Sequence, residues 1–148
     1  MAEQHTNTIG TPLHCLVVTP EATVVDAKAE FVALPLYDGE AGIAPGRSPL
    51  IGRLGYGELR VRRPGADEVH MYVDGGFAQV VDNVVTVLTN RAIPASSIDV
   101  AIATEQLRSA VASRAIGEPA MAIRNRLILQ ARGQLRVANR ARLAVASV

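Results

Sequence analysis

The sequence predicts a two-part fold, in which an N-terminal antiparallel β-sandwich is followed by a C-terminal αα-hairpin. Two observations support this prediction. From Pro12 to Ala92, short runs rich in Val, Leu, Thr and Tyr alternate with turn residues, a pattern typical of a sandwich or barrel. From Ser96 onward, apolar residues recur at helical spacing instead. The predicted units are a flexible tail over residues 1–11, a sandwich over 12–94 and a two-helix hairpin over 95–148.

Five runs of the first unit are predicted to be strands. Apolar and arginine side chains alternate along Gly57–Arg63, as expected of a half-buried strand. The segment Arg63–Asp67 predicts one hairpin tip, and Asp82–Asn83 predicts a tight two-residue turn, since both residue types tolerate positive φ. The five runs are LHCLVVTP, TVVDAKAEFVALPL, GELRVRR, EVHMYVDGGFAQVV and NVVTVLTNRA.

One stretch of the first unit, Leu34–Gly52, holds four glycines and three prolines. A phosphate-binding loop would need a lysine after its second glycine and a helix beginning there, and Arg47-Ser48-Pro49 supplies neither. The stretch is therefore predicted to be a corner of the sandwich, in which turns use the freedom of glycine and the rigidity of proline.

The second unit is predicted to contain two helices joined by a tight turn. Ser96 and Asp99 resemble a capping box at the start of the first helix. Gly117 suits the position just past its end, and Pro119 suits the first turn of a second helix over about Ala120–Leu143. The predicted apolar stripes are Val100, Ala103, Leu107, Ala110 and Val111 on the first helix and Met121, Ile128, Ala131, Leu135 and Ala138 on the second. Both stripes are thin and rich in alanine, so the hairpin is expected to dock on the sandwich or on another protein.

Charge divides the chain in the same way. The net charge is +1, but residues 1–103 carry 7 Lys/Arg against 12 Asp/Glu, whereas residues 104–148 carry 8 Arg against 2 Glu. Three interpretations of the basic second helix stay open: a solvated face, contacts with nucleic-acid phosphates, or docking on an acidic protein. The acidic first unit would repel nucleic acid and favours a protein partner. The arginines concerned are Arg126, Arg132, Arg136 and Arg140.

Catalytic and metal-binding arrangements find no support in the sequence. His5, His14 and His70 are scattered and match no ligand spacing, and no Gly-x-Ser-x-Gly motif is present. The adjacent carboxylates Asp67 and Glu68 follow a Pro-Gly turn and suit a solvated tip. The single cysteine, Cys15, lies in an apolar run and is predicted to be buried. We therefore expect a protein that is not an enzyme and that holds no metal.

The composition also bears on the location of the protein. No apolar run approaches the roughly 18 residues of a membrane span, and the polar start lacks the apolar segment of a signal peptide. A single cysteine suits a reducing compartment. The expected location is the cytosol or the cytosolic face of a membrane.

Several segments, in order along about 85% of the chain, resemble the epsilon subunit of the bacterial and chloroplast F-type ATP synthase. The opening Val-rich strand, Leu-Pro, Asp-Gly-Glu-x-Gly-Ile and Pro-Gly-x-x-Pro-Leu follow the order of that family. GYGELRVR, VDGGFAQVVDNVVTVLTNRA and GQLRVANR are similar to later family segments, although Arg47 replaces a common histidine.

The resemblance implies a non-catalytic rotor subunit in the central stalk of a proton-translocating ATP synthase, peripheral on the cytoplasmic face of the cell membrane. Its sandwich would link the γ subunit to the ring of c subunits, and the membrane would be reached only through the complex. Its hairpin would dock on the sandwich or extend toward the catalytic β subunit and inhibit ATP hydrolysis. The implied ring contacts are Glu40, Gly42, Pro45 and Gly46, and the expected β-subunit contacts are the four arginines named above. The alternative is a small nucleic-acid-binding module.

Some family members bind ATP in the hairpin through an Ile/Leu-Asp-x-x-Arg-Ala signature. Ile98, Asp99 and Ala103 match this signature, but Ile102 stands where the arginine is expected. Two glutamines, Gln130 and Gln134, stand where the family's ATP-contacting arginines fall. These departures argue against useful affinity for ATP, and no cofactor is predicted.

Overall fold

The computed structural model describes residues 11–146, which form ten strands and two long helices. The predicted tail lies outside the described residues except for Thr11. The strands are β1 Leu13–Val18, β2 Thr23–Ala29, β3 Phe31–Leu36, β4 Gly39–Ile43, β5 Leu50–Arg53, β6 Tyr56–Arg62, β7 Val69–Asp74, β8 Phe77–Val81, β9 Val84–Leu88 and β10 Ala92–Pro94. A 3₁₀ turn, Ala95–Ser97, leads to α1 Val100–Ala112 and α2 Glu118–Ala146.

Two five-stranded sheets form the first unit, so the predicted antiparallel sandwich is confirmed. Sheet A has the order β2-β1-β9-β8-β5, and sheet B has the order β10-β7-β6-β3-β4. Within sheet A, β1 pairs with β9 in parallel, whereas all other neighbouring strands of the sheet pair antiparallel. A parallel neighbour needs a long connection, and here nearly the whole sandwich lies between the two strands.

The core between the sheets is almost wholly aliphatic. Its buried members come from both sheets, for example Leu13 and Val85 from sheet A and Leu59 and Val73 from sheet B. Cys15 lies in this core, as predicted, and burial raises the pKa of its thiol to about 12.

The Gly- and Pro-rich stretch contains more regular structure than a corner of turns. It holds β4 and most of β5, and β4 forms an edge of sheet B. Gly42 lies within β4, where a Cβ would come 2.9 Å from the Phe31 ring, so close packing accounts for this glycine. Gly46, in the turn after β4, has a φ of +85. Glycine adopts this left-handed conformation without strain. The predicted Asp82–Asn83 turn is confirmed, with φ values of 49 and 63.

The helix ends correct three details of the prediction. The residue that caps α1 is Asp99, whose side-chain oxygen accepts a hydrogen bond from the Ile102 N–H at 3.1 Å, so Ser96 is not the cap. α1 ends at Ala112, and Gly117, with φ +87, directly precedes α2 rather than following α1. Pro119 does lie in the first turn of α2, which is longer at both ends than expected.

The second helix has two contact faces, whereas one stripe was predicted. Ala131 is buried as expected, but Met121 is half exposed. Val137, which lies about 120° round the helix from Ala131, is buried against the sandwich. Because α2 contacts α1 as well as β6 and β7, its apolar residues are divided between two directions. In the part of the chain that the structure describes, no helix is both long and apolar enough to cross a membrane.

Candidate functional site

The candidate site is the seam where α2 lies on the outer face of sheet B, against β6 and β7. We call this interface the α2 seam; it centres on Tyr56, Tyr72, Gly133, Gln134 and Val137. At Gly133 a Cβ would lie 2.6 Å from the Tyr56 carbonyl oxygen and 3.0 Å from the Tyr72 ring. Only glycine therefore allows the helix backbone to approach the strand this closely.

A buried hydrogen-bond network flanks this close approach. The Tyr72 hydroxyl donates to Asp74 Oδ1 at 2.7 Å, and Gln130 Nε2 donates to the two carboxylate oxygens at 3.0 and 3.2 Å. Gln134 is 7% exposed, and its side chain lies beside the Tyr72 hydroxyl. Burial, and then the neighbouring Asp74 carboxylate, raise the pKa of Tyr72 above its ordinary value. The hydroxyl therefore stays protonated and keeps donating.

Two of the predicted partner-binding arginines lie at the α2 seam. Arg140 Nη1 is 2.9 Å from Glu58 Oε1, and Arg136 Nη2 donates to the Tyr56 carbonyl oxygen at 3.3 Å. The Glu58 side chain is only 6% exposed, so its carboxylate depends on the charges around it. In this conformation, these two arginines are held by the sandwich.

All four arginines are exposed, but the other two differ from this pair in their contacts. Arg126 and Arg132 are exposed, and neither has a hydrogen-bond or ion-pair partner within residues 11–146. The structure thus separates the four arginines into a pair held by the sandwich and a pair without a partner among the described residues.

The residues that match the ATP-binding signature have structural positions at the base of the hairpin. Asp99 caps α1, Ala103 is 1% exposed, and Ile98 packs on the cluster around Tyr72. Ile102 is 65% exposed. Gln130 and Gln134, which replace the family's arginines, both contact the sandwich at the α2 seam. Sequence reasoning noted these glutamines only as departures from a motif and missed Tyr72, Asp74 and Gly133; a glycine in mid-helix was the one available signal.

The predicted ring-contact residues follow the β4 edge of sheet B and do not form one cluster. Glu40, near the start of β4, is exposed and pairs with Arg60 Nη2 at 2.7 Å. Pro45 and Gly46 lie beyond the other end of β4, where the Gly46 N–H donates to Asn83 Oδ1 at 2.8 Å. The structure places Gly42 between them, within the strand.

A cleft of about 360 Å³ joins the start of β4 to the α2 seam. Its walls include Tyr37 and Glu40 from the sandwich and Arg136 and Arg140 from α2. Two predicted surfaces that are distant in sequence are therefore neighbours in the fold.

The outer face of sheet A carries exposed apolar side chains that sequence reasoning did not single out. Phe77 and Leu88 are cross-strand partners and are 58% and 52% exposed, and Ile51 on the adjacent strand is 74% exposed. Apolar neighbours of this kind on one sheet face suit contact with another protein. Among the described residues, no group of three His, Cys, Asp or Glu side chains could hold a metal ion.

Comparison with known proteins gives consistent results over most of the chain. The family model for the ATP synthase delta/epsilon chain β-sandwich domain matches residues 12–95. The chain is 49% identical over 124 residues to the ATP synthase epsilon chain of Rhodopirellula baltica, covering 84% of this chain and 96% of the relative. It is 36% identical over 102 residues to the epsilon chain of Nitrosomonas eutropha, covering 69% and 73%.

Solved structures show the same fold at low sequence identity. A chain in the Euglena gracilis mitochondrial ATP synthase structure of OSCP, F1 and c-ring matches with a TM-score of 0.68 at 22% identity, covering 90% of this chain and 81% of that one. A chain in the Tetrahymena thermophila mitochondrial ATP synthase central stalk and c-ring structure matches with a TM-score of 0.68 at 10% identity, covering 85% and 96%.

Proposed function

The chain belongs to the epsilon-subunit family of F-type ATP synthases, and from this membership we propose that it is a non-catalytic rotor subunit of the central stalk. In this role the sandwich links γ to the c ring, and the hairpin regulates ATP hydrolysis. The subunit is then peripheral, on the cytoplasmic face of the cell membrane. The two similar structures support this assembly, since one comprises OSCP, F1 and the c-ring and the other comprises the central stalk and c-ring.

The sandwich offers a separate surface for each of its two proposed partners. We assign γ to the apolar outer face of sheet A around Phe77 and Leu88, since a permanent stalk contact needs buried apolar area. We assign the c ring to the β4 edge, with Glu40 as the exposed charge and Gly42, Pro45 and Gly46 shaping the backbone.

The hairpin is the proposed inhibitory element. The observation that carries this proposal is the division of its arginines. Arg136 and Arg140 are exposed but have partners on β6, and they lose those partners when α2 leaves sheet B, so that an acidic protein can take their place. Arg126 and Arg132 are exposed, have no partner in the part of the chain that the structure describes, and suit a first encounter with the β subunit. Because Asp99 and the two seam glutamines have structural roles, we propose that the hairpin works without bound ATP.

The experiment is to remove the hairpin after Ala95 and reconstitute the truncated chain with γ and the rest of the synthase. Every buried member of the sandwich core precedes that residue, so the sandwich should fold and co-purify with γ, while ATP hydrolysis should rise several-fold. A chain that does not form a stable complex with γ would refute the rotor role. Unchanged hydrolysis in an assembled complex would refute the inhibitory role of the hairpin but not the rotor role of the chain.

A matched full-length variant separates charge from docking. Arg126→Ala combined with Arg132→Ala removes two exposed charges that have no partner among the described residues, so docking of α2 should stay intact. If these arginines reach an acidic surface on the β subunit, the double variant should also raise hydrolysis, and the effect should shrink as salt is added.

A further inference from the structure

We infer that Gly133 is the contact point of a latch, which sets how often α2 leaves the sandwich. The latch consists of Gly133, Gln130 and Gln134 on α2, and of Tyr72 and Asp74 on β7. The inference deepens the proposed function, since its consequence for ATP hydrolysis rests on that proposal. Docking of α2 on the sandwich can be measured in the isolated chain, so the latch can be tested separately from the proposed function.

Steric contact makes Gly133 the most constrained position of the latch. An added Cβ would lie 2.6 Å from the Tyr56 carbonyl oxygen and 3.1 Å from the carbonyl carbon. Both atoms belong to the backbone of β6, which is held in the sheet on both sides and cannot move aside as a flexible side chain can. A side chain at this position therefore lifts α2 from the sheet.

Helix propensity gives this position an independent significance. Glycine is the poorest helix former after proline, and Gly133 lies in the middle of a 29-residue helix. An alanine there would stabilise the isolated helix. A glycine that weakens its own helix but permits contact with β6 indicates that docking determines the residue.

The polar members of the latch make docking specific and reversible. Asp74 is 8% exposed and receives hydrogen bonds from Tyr72 and Gln130. When α2 leaves, the carboxylate keeps its bond from Tyr72 and gains water, so the released state is not left with an unpaired buried charge. An apolar seam would lack this compensation and would hold the helix more permanently.

The consequence of opening is the release of Arg136 and Arg140, because the contacts of both residues with β6 lie on the same helix face as the latch. The latch therefore controls how much basic surface the hairpin presents. A stronger latch means fewer free arginines and, under the proposed function, less inhibition.

The test measures opening in the full-length chain with a reporter thiol introduced by Val137→Cys. Val137 is 2% exposed at the α2 seam, so the thiol reacts with Ellman's reagent only when α2 lifts. Cys15 serves as the internal reference: it is buried in the sandwich core, where burial raises its pKa to about 12, and it reacts only when the sandwich unfolds. Gly133→Ala in this background should speed reporter labelling roughly tenfold or more and leave Cys15 unchanged.

Two further variants complete the test. Gln130→Ala should speed reporter labelling by a smaller factor, because the Asp74 carboxylate keeps its bond from Tyr72. Asn125→Ala also raises helix propensity, but it lies at an exposed position on α2, so the reporter rate should stay within about twofold of the parent. An unchanged or slower reporter in Gly133→Ala would overturn the latch. Equal acceleration of Cys15 would also overturn it, by showing that Gly133 supports the whole fold rather than docking.

Hydrolysis by the reassembled synthase separates the latch from the inhibitory role. If Gly133→Ala opens the seam and lowers hydrolysis, both proposals hold. If the seam opens and hydrolysis does not change, the latch stands and inhibition by the hairpin fails. If the seam does not open, the latch fails regardless of the hydrolysis rate.

Discussion

The sandwich core and the α2 seam are two buried interfaces that differ in composition. The core consists of aliphatic side chains from both sheets, with Leu13, Leu59 and Val85 fully buried. The seam uses Tyr72, two glutamines, a glycine and an ion pair. Fully burying an aliphatic side chain contributes about 1.5–3 kcal/mol, whereas a hydrogen bond contributes about 0.5–1.5 kcal/mol net. The first interface suits a permanent structure, and the second suits one that opens.

Substitution in the core gives the largest expected effect. Leu59→Ala removes a fully buried side chain from β6 and should lower the free energy of unfolding by about 2–5 kcal/mol. The measurement is urea unfolding followed by circular dichroism, with Cys15 labelling as a second reporter of the sandwich.

The matched variant for this comparison is Val137→Ala, which shortens a buried side chain at the seam. It should loosen α2 and leave Cys15 protected, because the core between the sheets is untouched. If Val137→Ala exposes Cys15 as strongly as Leu59→Ala does, the two interfaces form one cooperative unit, and the α2 seam does not open independently of the core.

Alkaline pH should lower the free energy of unfolding by an intermediate amount, through the Cys15 thiol in the core. The pKa of the Cys15 thiol is about 12 in the folded chain, against an ordinary value of 9.0. Above pH 9 the unfolded chain releases this proton and the folded chain keeps it. The stability that burial of the neutral thiol supplies is therefore complete below pH 9, and it falls by about 1.4 kcal/mol per pH unit as the pH rises toward 12.

Urea unfolding at pH 8.5, 9.5 and 10.5 measures this slope, and Cys15→Ala supplies the control. The variant should lose stability less steeply than the parent, whatever its stability at neutral pH. Parallel slopes in the two proteins would show that Cys15 ionises as readily in the folded chain as in the unfolded one.

Substitution at the exposed β4 edge should have the smallest effect on the free energy of unfolding. Glu40→Ala breaks an ion pair with Arg60 whose carboxylate side chain is 49% exposed, so the free energy of unfolding should change by less than about 1 kcal/mol. Under the proposed function, the same change should weaken attachment to the c ring, as measured by co-purification of the ring with the assembled stalk.

Asp67→Ala is the control, since Asp67 is an exposed acidic residue at the β6–β7 turn and not on the β4 edge. It should leave ring attachment unaltered. Equal losses in the two variants would point to overall negative charge rather than to a contact at Glu40.

The sandwich could be predicted because its signals are local. The alternation along β6 and the Asp82–Asn83 turn both belong to single strands or hairpins, and both were confirmed. β4 and β5 were missed because close packing by Phe31 and Leu36 requires glycine within them, and a glycine-rich stretch predicts turns.

The α2 seam could not be predicted from periodicity, for a physical reason. A stripe of period 3.6 describes a helix with one contact face, but α2 contacts both α1 and sheet B. Its second face uses Gly133 and Gln134, whose burial depends on Tyr56 and Tyr72, which lie about 60 to 80 residues earlier in sequence. Long-range contacts of small and polar residues leave no mark in the local pattern.

The parallel pairing of β1 with β9 has a consequence for synthesis on the ribosome. β1 lies between β2 and β9, and Val18 pairs with Leu88, so one side of β1 stays open until the chain has been made through Leu88. Because contacts between distant segments form slowly, we expect the pairing of β1 with β9 to be a late step in the folding of sheet A. The face that receives α2 does not depend on this step, because β6 and β7 belong to sheet B.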